Sequence, residues 1–230
     1  MSAQVLELRR LLEQHAPDAI PVTQRTAQPV ATGIAELDAI LPGGGLPRGR
    51  LAVWMPRGGS TAVLRAACHA AVAGGERAAW VDGAGTMPGA SWQEGPLLVR
   101  PKGRKEALQS AAELLRSGAF ALVVLDGAEP EGTETVRLSR AVREGGGAFV
   151  ALTASASLAS VRLTSRILPH SYRWRRDPFG DPAEVQDATV QVRARSLGWN
   201  AHAQFRLPVM RYDLRLSLDP ELADRRGGGR

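Results

Sequence analysis

The chain has 230 residues, enough for one α/β domain with a substantial core, with or without small appendages. Hydrophobic residues make up 44% of it, as is usual for globular proteins, and 29 basic against 23 acidic residues give a net charge of +6. The single cysteine excludes an internal disulfide, the four histidines lack zinc-ligand spacing, and no apolar run is long enough to span a bilayer.

The N-terminal segment is predicted to form an amphipathic helix on a linker. Residues 4–16 have helical spacing of apolar residues, Pro17 ends that helix, and residues 18–31 favour extended backbone. Such a helix either docks on a partner or folds back on its own core, and we expect docking. The segment lacks the basic-then-apolar order of a signal peptide, so we expect a cytoplasmic location. The residues expected to contact a partner share one helical face: Val5, Leu8, Leu11 and Leu12.

From residue 32 onward, apolar strands alternate with amphipathic helices, which predicts a mainly parallel sheet. The predicted elements in chain order are a short helix and glycine-rich turn within 32–49, a strand at 50–54, a helix at 61–73, strands at 78–82 and 97–99, a helix at 105–116, a strand at 120–125, a helix at 135–144, a strand at 148–152, and paired antiparallel strands at 185–196 and 202–209 around a turn at 198–200.

The fold class predicted is α/β, with a mainly parallel central sheet flanked by helices, an N-terminal helical arm and a C-terminal antiparallel hairpin. We divide the chain into a docking arm at 1–31, a core at 32–218 and a tail at 219–230 that we expect to be disordered.

A stretch related to a phosphate-binding loop follows the first predicted strand. The functional pattern is GxxxxGK[ST], in which backbone N–H groups and lysine hold the phosphates and the hydroxyl holds magnesium. The corresponding sequence is MPRGGSTA, where Ser60 stands in place of the lysine and the loop is shorter by about one residue. This turn either keeps weak nucleotide binding or serves packing alone, and we expect the second. Its residues are Arg57, Gly58, Gly59, Ser60 and Thr61.

Acidic residues give a second test of ATP chemistry. Asp126 closes the apolar run FALVVL, in the position of a Walker B carboxylate that would hold magnesium, although it could instead cap a helix or turn. After the strand that ends at Asp82, related ATPases often carry a catalytic glutamate, whereas this chain has Gly83, Ala84 and Gly85. We therefore expect no ATP hydrolysis, and we expect neither ATP nor magnesium to be a cofactor.

Several stretches resemble RecA proteins, in the same order. TGIAELDAILPGGGLPRGR is similar to the signature that leads into the RecA core, and EALQ, LLRSGA and VVLD are similar to parts of the segment that ends in its Walker B strand. VRLTSRILPHSYRW and ATVQVRARSLGWNAHAQFRL resemble the strand and hairpin after the second DNA-binding loop of RecA. The resemblance spans residues 4–210 and implies a RecA-like core in which Ser60 replaces the phosphate-loop lysine and Ala84 the catalytic glutamate.

The chain also departs from RecA in the regions that bind DNA. The stretches corresponding to the two DNA-binding loops, AEPEGTETVRLSRAV and TASASLASVRLT, are shortened, so we expect DNA binding to be weak or absent. A RecA-like chain with these losses resembles the ImuA family, which occurs in bacterial mutagenesis cassettes with ImuB and an error-prone C-family polymerase. The resemblance implies a non-catalytic adaptor in SOS-induced translesion synthesis, with ImuB and RecA as partners and the polymerase as an indirect one.

Two basic stretches could form an anion-binding surface. The run RPKGRK either contacts phosphates or is a solvated face; its basic residues are Arg100, Lys102, Arg104 and Lys105. The stretch YRWRR either stacks on bases and binds carboxylates, or forms an edge strand with the tryptophan inward and the arginines outward; its residues include Arg173, Trp174, Arg175 and Arg176.

Three hypotheses of different classes remain after this reading. The first is the non-catalytic adaptor in DNA damage tolerance. The second is an unconventional ATPase in which Arg57, Arg65 or a neighbouring subunit supplies the missing positive charge. The third is a basic DNA-binding accessory protein or an SOS inhibitor similar to SulA, another small member of this wider group.

Overall fold

The computed structural model describes residues 28–87, 95–154 and 157–208. The predicted N-terminal helix with its docking residues Val5, Leu8, Leu11 and Leu12 lies outside the described residues, as does the predicted tail. Expectations about the arm and the tail therefore stay predictions.

The described residues form four helices and nine strands. In chain order these are α1 (Ala35–Ile40), β1 (Leu51–Trp54), α2 (Ser60–Ala73), β2 (Ala78–Asp82), β3 (Leu97–Val99), α3 (Arg104–Arg116), β4 (Leu122–Asp126), α4 (Gly132–Gly145), β5 (Ala148–Leu152), β6 (Val161–Ile167), β7 (Arg173–Arg176), β8 (Pro182–Ser196) and β9 (Trp199–Pro208).

One sheet contains all nine strands of the described residues. Its parallel half has the order β3-β2-β4-β5-β1-β6. The long strand β8 is antiparallel to all three of its neighbours. It pairs with β6 and β7 along one edge and with β9 along the other. The carboxyl ends of the parallel strands meet at one edge of the sheet, which brings the β1–α2 turn near the ends of β2, β4 and β6. The predicted α/β class with a mainly parallel sheet is confirmed.

Four central strands of the parallel half, β1, β2, β4 and β5, are buried on both faces, as their continuous apolar runs predict. Strand β4 shows this division, because Leu122 and Val124 pack with α2 while Val123 and Leu125 pack with α3 and α4. Helix α2 meets the sheet with small side chains that include the buried thiol of Cys68, whose pKa is raised by burial. Helix α3 buries a stripe at helical spacing that includes Leu108.

The C-terminal hairpin differs from its predicted form. Strand β9 begins at Trp199 rather than at residue 202, because the turn contains only Leu197 and Gly198 and Ser196 already pairs with Trp199. Gly198 takes the positive φ of 71° that such a short turn requires. The hairpin also extends the central sheet, since β8 pairs with β6 along six residues.

Three other predicted boundaries shift by a few residues. Strand β8 begins at Pro182 rather than at residue 185. Helix α4 begins at Gly132 rather than at residue 135, because Glu131 and Glu134 form a capping box that satisfies the backbone N–H groups before the predicted start. Strand β4 begins at Leu122 rather than at residue 120, and Ala121 instead donates its backbone N–H to the carbonyl of Arg77.

Candidate functional site

The β1–α2 turn is a tight connection with two left-handed glycines. Gly58 has φ 62° and Gly59 has φ 85°, and the backbone N–H of Arg57 donates to the carbonyl of Met55 at 2.7 Å. Gly59 is the residue before α2, and no side chain caps the helix there. The strand–turn–helix order predicted for a phosphate-loop relative is therefore present.

This turn is packed directly against β6. A Cβ atom on Gly58 would lie 2.1 Å from the carbonyl oxygen of Ser165 and 2.6 Å from the Cα of Arg166, so only glycine fits. The hydroxyl of Ser165 donates to the carbonyl of Arg57 at 2.9 Å, and the backbone N–H of Met55 donates to the carbonyl of Leu163 at 3.0 Å. Strand β6 thus holds the turn along most of its length.

The position of the missing lysine lies inside the fold. Ser60 is 2% exposed at the first residue of α2, whereas Thr61 is exposed. A lysine at this place in a functional loop carries a positive charge to the outer phosphates, and the short neutral side chain of Ser60 supplies neither that reach nor that charge. The turn offers backbone N–H groups at a helix terminus but lacks the lysine's contact.

A groove of about 470 Å³ lies beside the turn. Arg57 and Arg65 contribute the basic side chains of its lining, and Arg65 is 4% exposed. Its far wall is apolar and comes from the antiparallel strands, with Ile167, Val190 and Leu207. Asp126, the Walker B-like carboxylate, is not among the described residues that line this groove.

Asp126 ends β4 directly opposite Asp82 of β2 in the parallel register. Burial raises the pKa of the Asp126 carboxyl, the charge of Asp82 raises it further, and a hydrogen bond from the backbone of Gly127 acts in the opposite sense. Two adjacent carboxylates at the carboxyl edge of the sheet could serve a cation. The hydrogen bonds that Asp82 accepts from the backbone of its own loop, however, indicate a structural role for that residue.

Sequence reasoning did not assign a role to the side chain of Asp82. This carboxylate is 1% exposed and accepts backbone hydrogen bonds from Thr86 at 3.1 Å and Met87 at 2.9 Å. It therefore fixes the loop that leaves β2. An aspartate at the end of a buried strand, followed by a glycine-rich loop, was the available signal, because such side chains often bind the backbone of the next turn.

The position matched to the catalytic glutamate is also filled by backbone packing. A Cβ atom on Gly127 would lie 2.1 Å from the backbone nitrogen of Ala84 and 2.6 Å from its Cβ. The N–H of Gly83 donates to the carbonyl of Asp126 at 2.8 Å, which ties the two strand ends together. The loop after β2 thus lies directly on the end of β4.

The basic residues of RPKGRK do not converge on one site. Arg100 donates to the carbonyl of Met87 and lies 3.9 Å from a carboxylate oxygen of Asp82. Both terminal guanidinium nitrogens of Arg104 donate to the carboxylate of Glu134, and one of the two also donates to the carbonyl of Glu129. Arg104 therefore joins α3 to α4. The hydrogen bond with Glu134 and nearby carboxylates raise the pKa of Arg104, and Arg104 in turn lowers the pKa of Glu134. Both lysines of the run, Lys102 and Lys105, are exposed.

Residues 173–176 of the YRWRR stretch form β7, so the edge strand, one of the two alternatives for this stretch, is present, but its tryptophan does not pack inward. Trp174 remains 49% exposed, and a register shift between Arg173 and Trp174 breaks the alternation on which the inward placement depended. Arg173 forms an ion pair with Asp187 of β8, and Arg176 donates to the carbonyl of Gly180. Arg175 is exposed.

Comparison with known proteins finds a partial similarity to RecA. No model of a known protein family matches the chain. The chain is 35% identical over 113 residues to Protein RecA of Frankia casuarinae. This match covers 45% of this chain and 32% of that protein. A match of the same identity and length to Protein RecA of Streptomyces venezuelae covers 30% of that protein.

The chain spans about a third of the length of the relatives it matches. Together with the sheet order, this distant similarity supports a RecA-like fold, which is the class that the sequence predicts. Among the described residues, no helix is long and apolar enough to cross a membrane.

Proposed function

We propose that this protein is a non-catalytic adaptor of RecA-like fold, which acts through protein contacts in SOS-induced DNA damage tolerance. The observation that carries the proposal is the state of the β1–α2 turn. Ser60 occupies the position of the phosphate-loop lysine and is buried, and Gly58 is in backbone contact with β6. A turn fixed in this way is retained for packing rather than for holding phosphates.

The carboxyl edge of the sheet supports the same conclusion. Ala84 takes the place of the catalytic glutamate and packs on Gly127, so no carboxylate there is available to activate water. Asp82 is occupied with the backbone of its own loop. Asp126 remains, but it lies outside the groove beside the turn.

Partners enter the proposal through the resemblance to the ImuA family. On that basis the adaptor binds ImuB and RecA, and through ImuB it reaches an error-prone C-family polymerase in a translesion synthesis assembly. The predicted N-terminal helix is the proposed docking element, because a separate amphipathic helix on a proline-containing linker suits a partner groove.

Nucleotide binding is the direct test of the non-catalytic part. Isothermal titration calorimetry of the full-length chain with MgATP is expected to show no binding heat, and a coupled assay is expected to show no ATP turnover with or without single-stranded DNA. A RecA protein in the same assays provides the positive control. Micromolar ATP binding with turnover that is lost in Asp126→Ala would overturn the proposal.

An unconventional ATPase is the second candidate function, because Arg57 and Arg65 both line the groove beside the turn. Arginine can bind phosphate through its planar guanidinium group. The two candidates separate in the calorimetry, since this one requires ATP binding that weakens in Arg57→Ala while the overall fold is unchanged by circular dichroism.

Capture experiments test the partner part. Tagged full-length protein and a form without residues 1–31 are each incubated with purified ImuB and with purified RecA. Capture by the full-length protein and its loss on deletion support the docking arm. Unchanged capture would move the interface to the core, and no capture by either form would remove ImuB and RecA as direct partners.

A further inference from the structure

The antiparallel half of the sheet has one polar face. Strands β6, β8 and β9 bury alternate residues such as Leu163, Val192 and Phe205 in the core shared with α2. Their other residues point to the opposite face. The core beneath α3 and α4 contains residues of β1, β2, β4 and β5 and none of β6, β8 or β9. Within the described residues, the polar face of these three strands therefore extends beyond the helical layer.

Basic side chains recur along this polar face in register. Three cross-strand rows follow one another along the strands, and none of their nine residues is acidic: Arg162–Arg195–Asn200, Thr164–Arg193–His202 and Arg166–Gln191–Gln204. We call these rows the arginine face. Arg166, Arg193, Arg195 and His202 are all exposed on it. Like charges placed so close together cost stability, which points to a role in binding.

A hollow of about 670 Å³ lies on the arginine face, next to the β1–α2 turn. Three guanidinium groups line it, those of Arg57, Arg166 and Arg193, together with the imidazole of His202. Among the described residues no carboxylate lines it, and Gln191 accepts a hydrogen bond of 2.7 Å from Arg166. The hollow therefore has the shape and charge to receive an anionic group from outside the described chain.

A carboxylate of the chain itself binds two arginines beyond the three rows. Four residues before Gln191 on β8, the carboxylate of Asp187 is 6% exposed and lies between Arg173 of β7 and Arg206 of β9. Here two arginines on neighbouring strands hold one carboxylate. The arginine face also places arginines on neighbouring strands, such as Arg166 of β6 and Arg193 of β8, and its three rows contain no carboxylate.

We infer that the arginine face binds an acidic, extended segment of a partner protein, whose carboxylates pair with Arg166, Arg193 and Arg195. This rests on the proposed role as an adaptor and names the chemistry of one partner. Residues two apart on a strand are separated by about 6.7 Å, which is also the spacing of alternate side chains in an extended peptide. Guanidinium groups bind carboxylates through paired hydrogen bonds, and arginine clusters are a known mode of acidic-motif recognition.

Side-chain chemistry favours a peptide over a nucleic acid. The amides of Gln191, Gln204 and Asn200 contribute acceptors as well as donors, and a peptide backbone offers both partners at each residue. Phosphate groups need donors only. The three rows contain no phenyl, phenol or indole ring, whereas sequence-independent binding of single strands combines basic grooves with aromatic rings on which bases stack.

The test uses the full-length chain and a fluorescein-labelled peptide of about ten residues in which glutamate and serine alternate, long enough to follow the face. Fluorescence anisotropy at low salt is expected to show binding that weakens as salt is raised. A peptide with glutamine in place of glutamate is expected not to bind. The double variant R166E/R193E is expected to lose affinity by at least about tenfold, which corresponds to about 1.4 kcal/mol.

A matched control has the same change in net charge at a distant place. Arg50 and Arg77 are exposed and precede β1 and β2, at the opposite end of the parallel strands. R50E/R77E is expected to bind the acidic peptide within about twofold of the parent protein, because the ion pairs proposed on the arginine face are unchanged. Equal loss in both double variants would overturn the inference, since it would show only a general attraction to a basic protein.

A third variant tests the face by gain of affinity. Asp187→Asn keeps the side-chain shape but releases Arg173 and Arg206 from their carboxylate, so the acidic peptide is expected to bind more tightly. Oligodeoxythymidylate of similar length is the competing probe. If it binds more tightly than the peptide and loses affinity in R166E/R193E, or if neither probe binds, the inference is wrong. ATP turnover would end the non-catalytic proposal without changing these peptide results, so the two can fail separately.

Discussion

The indole N–H of Trp54 donates a hydrogen bond of 3.0 Å to the hydroxyl of Ser165, which lies 111 residues further along the chain. Trp54 is fully buried at the end of β1, and Ser165 is 7% exposed on β6. The same hydroxyl donates onward to the carbonyl of Arg57. One serine thus satisfies a buried tryptophan and fixes the β1–α2 turn.

Substitution of Ser165 by alanine removes only a hydroxyl group, but it should destabilise the protein clearly. The change leaves the indole N–H of Trp54 buried without its acceptor, which costs about 1–3 kcal/mol. Ser160→Ala is the matched control, because the carbonyl of Leu51 that accepts from the Ser160 hydroxyl also accepts from its backbone N–H. Urea denaturation measures both, and equal losses for the two variants would show that the Trp54 contact is not special.

The sequence predicts the parallel half of this fold better than the antiparallel half, for a physical reason. Apolar runs such as FALVVL are local signals of strands buried on both faces, and amphipathic spacing is a local signal for α3 and α4. The pairing of β6 with β8 depends on contacts between distant parts of the chain. The hairpin could therefore be predicted, but its place in the central sheet could not.

In the candidate site, too, local sequence features can be predicted and contacts between distant parts of the chain cannot. The loss of the lysine can be read directly from the sequence, because Gly59, Ser60 and Thr61 match the end of the motif, GK[ST]. The packing of Gly58 on Ser165 and the loop contacts of Asp82 depend on which strands become neighbours. The arginine face was missed for that reason, since Arg166 and Arg193 are 27 positions apart in the sequence and become neighbours only through the register of β6 and β8.

Gly58 provides a sharp test of the packed turn. Alanine at Gly58 would place its Cβ 2.1 Å from a carbonyl oxygen at φ 62°, and we expect a loss of at least about 3 kcal/mol from strain and overpacking. Gly49 has φ 67° with nothing within 4 Å of its Cβ position, so Gly49→Ala is expected to cost only about 1 kcal/mol. Thermal and urea unfolding compare them. A Gly58→Ala protein as stable as Gly49→Ala would show that the turn can move away from β6.

Asp126 and Asp82 should respond with opposite signs to substitution by asparagine. The pKa of Asp126 is raised, so its ionised form opposes folding at neutral pH, and Asp126→Asn is expected to raise the free energy of unfolding there. This gain should vanish as the pH falls below the ordinary value of 3.8, where the carboxyl is protonated in both states. Asp82→Asn is expected to destabilise, because Thr86 and Met87 donate to different oxygens of its carboxylate. A stability gain at neutral pH for Asp82→Asn, or a loss for Asp126→Asn, would contradict these assignments.

The ion pair between Arg104 and Glu134 should make the thermal stability of the protein depend on pH, whereas the neighbouring Lys105 should not. The hydrogen bond from Arg104 contributes most to the lowered pKa of Glu134, so the pair stabilises the folded state above the ordinary value of 4.5 and loses this effect as the pH falls through the folded-state pKa. Arg104→Ala should therefore unfold at a lower temperature than the parent protein at neutral pH, and the difference should shrink in acid. Lys105→Ala is the control, since Lys105 is exposed and adjacent in sequence. A melting-temperature difference for Arg104→Ala that stays constant from neutral to acidic pH would mean that Arg104 acts through its hydrogen bond to the carbonyl of Glu129 or through packing of its aliphatic stem, and not through Glu134.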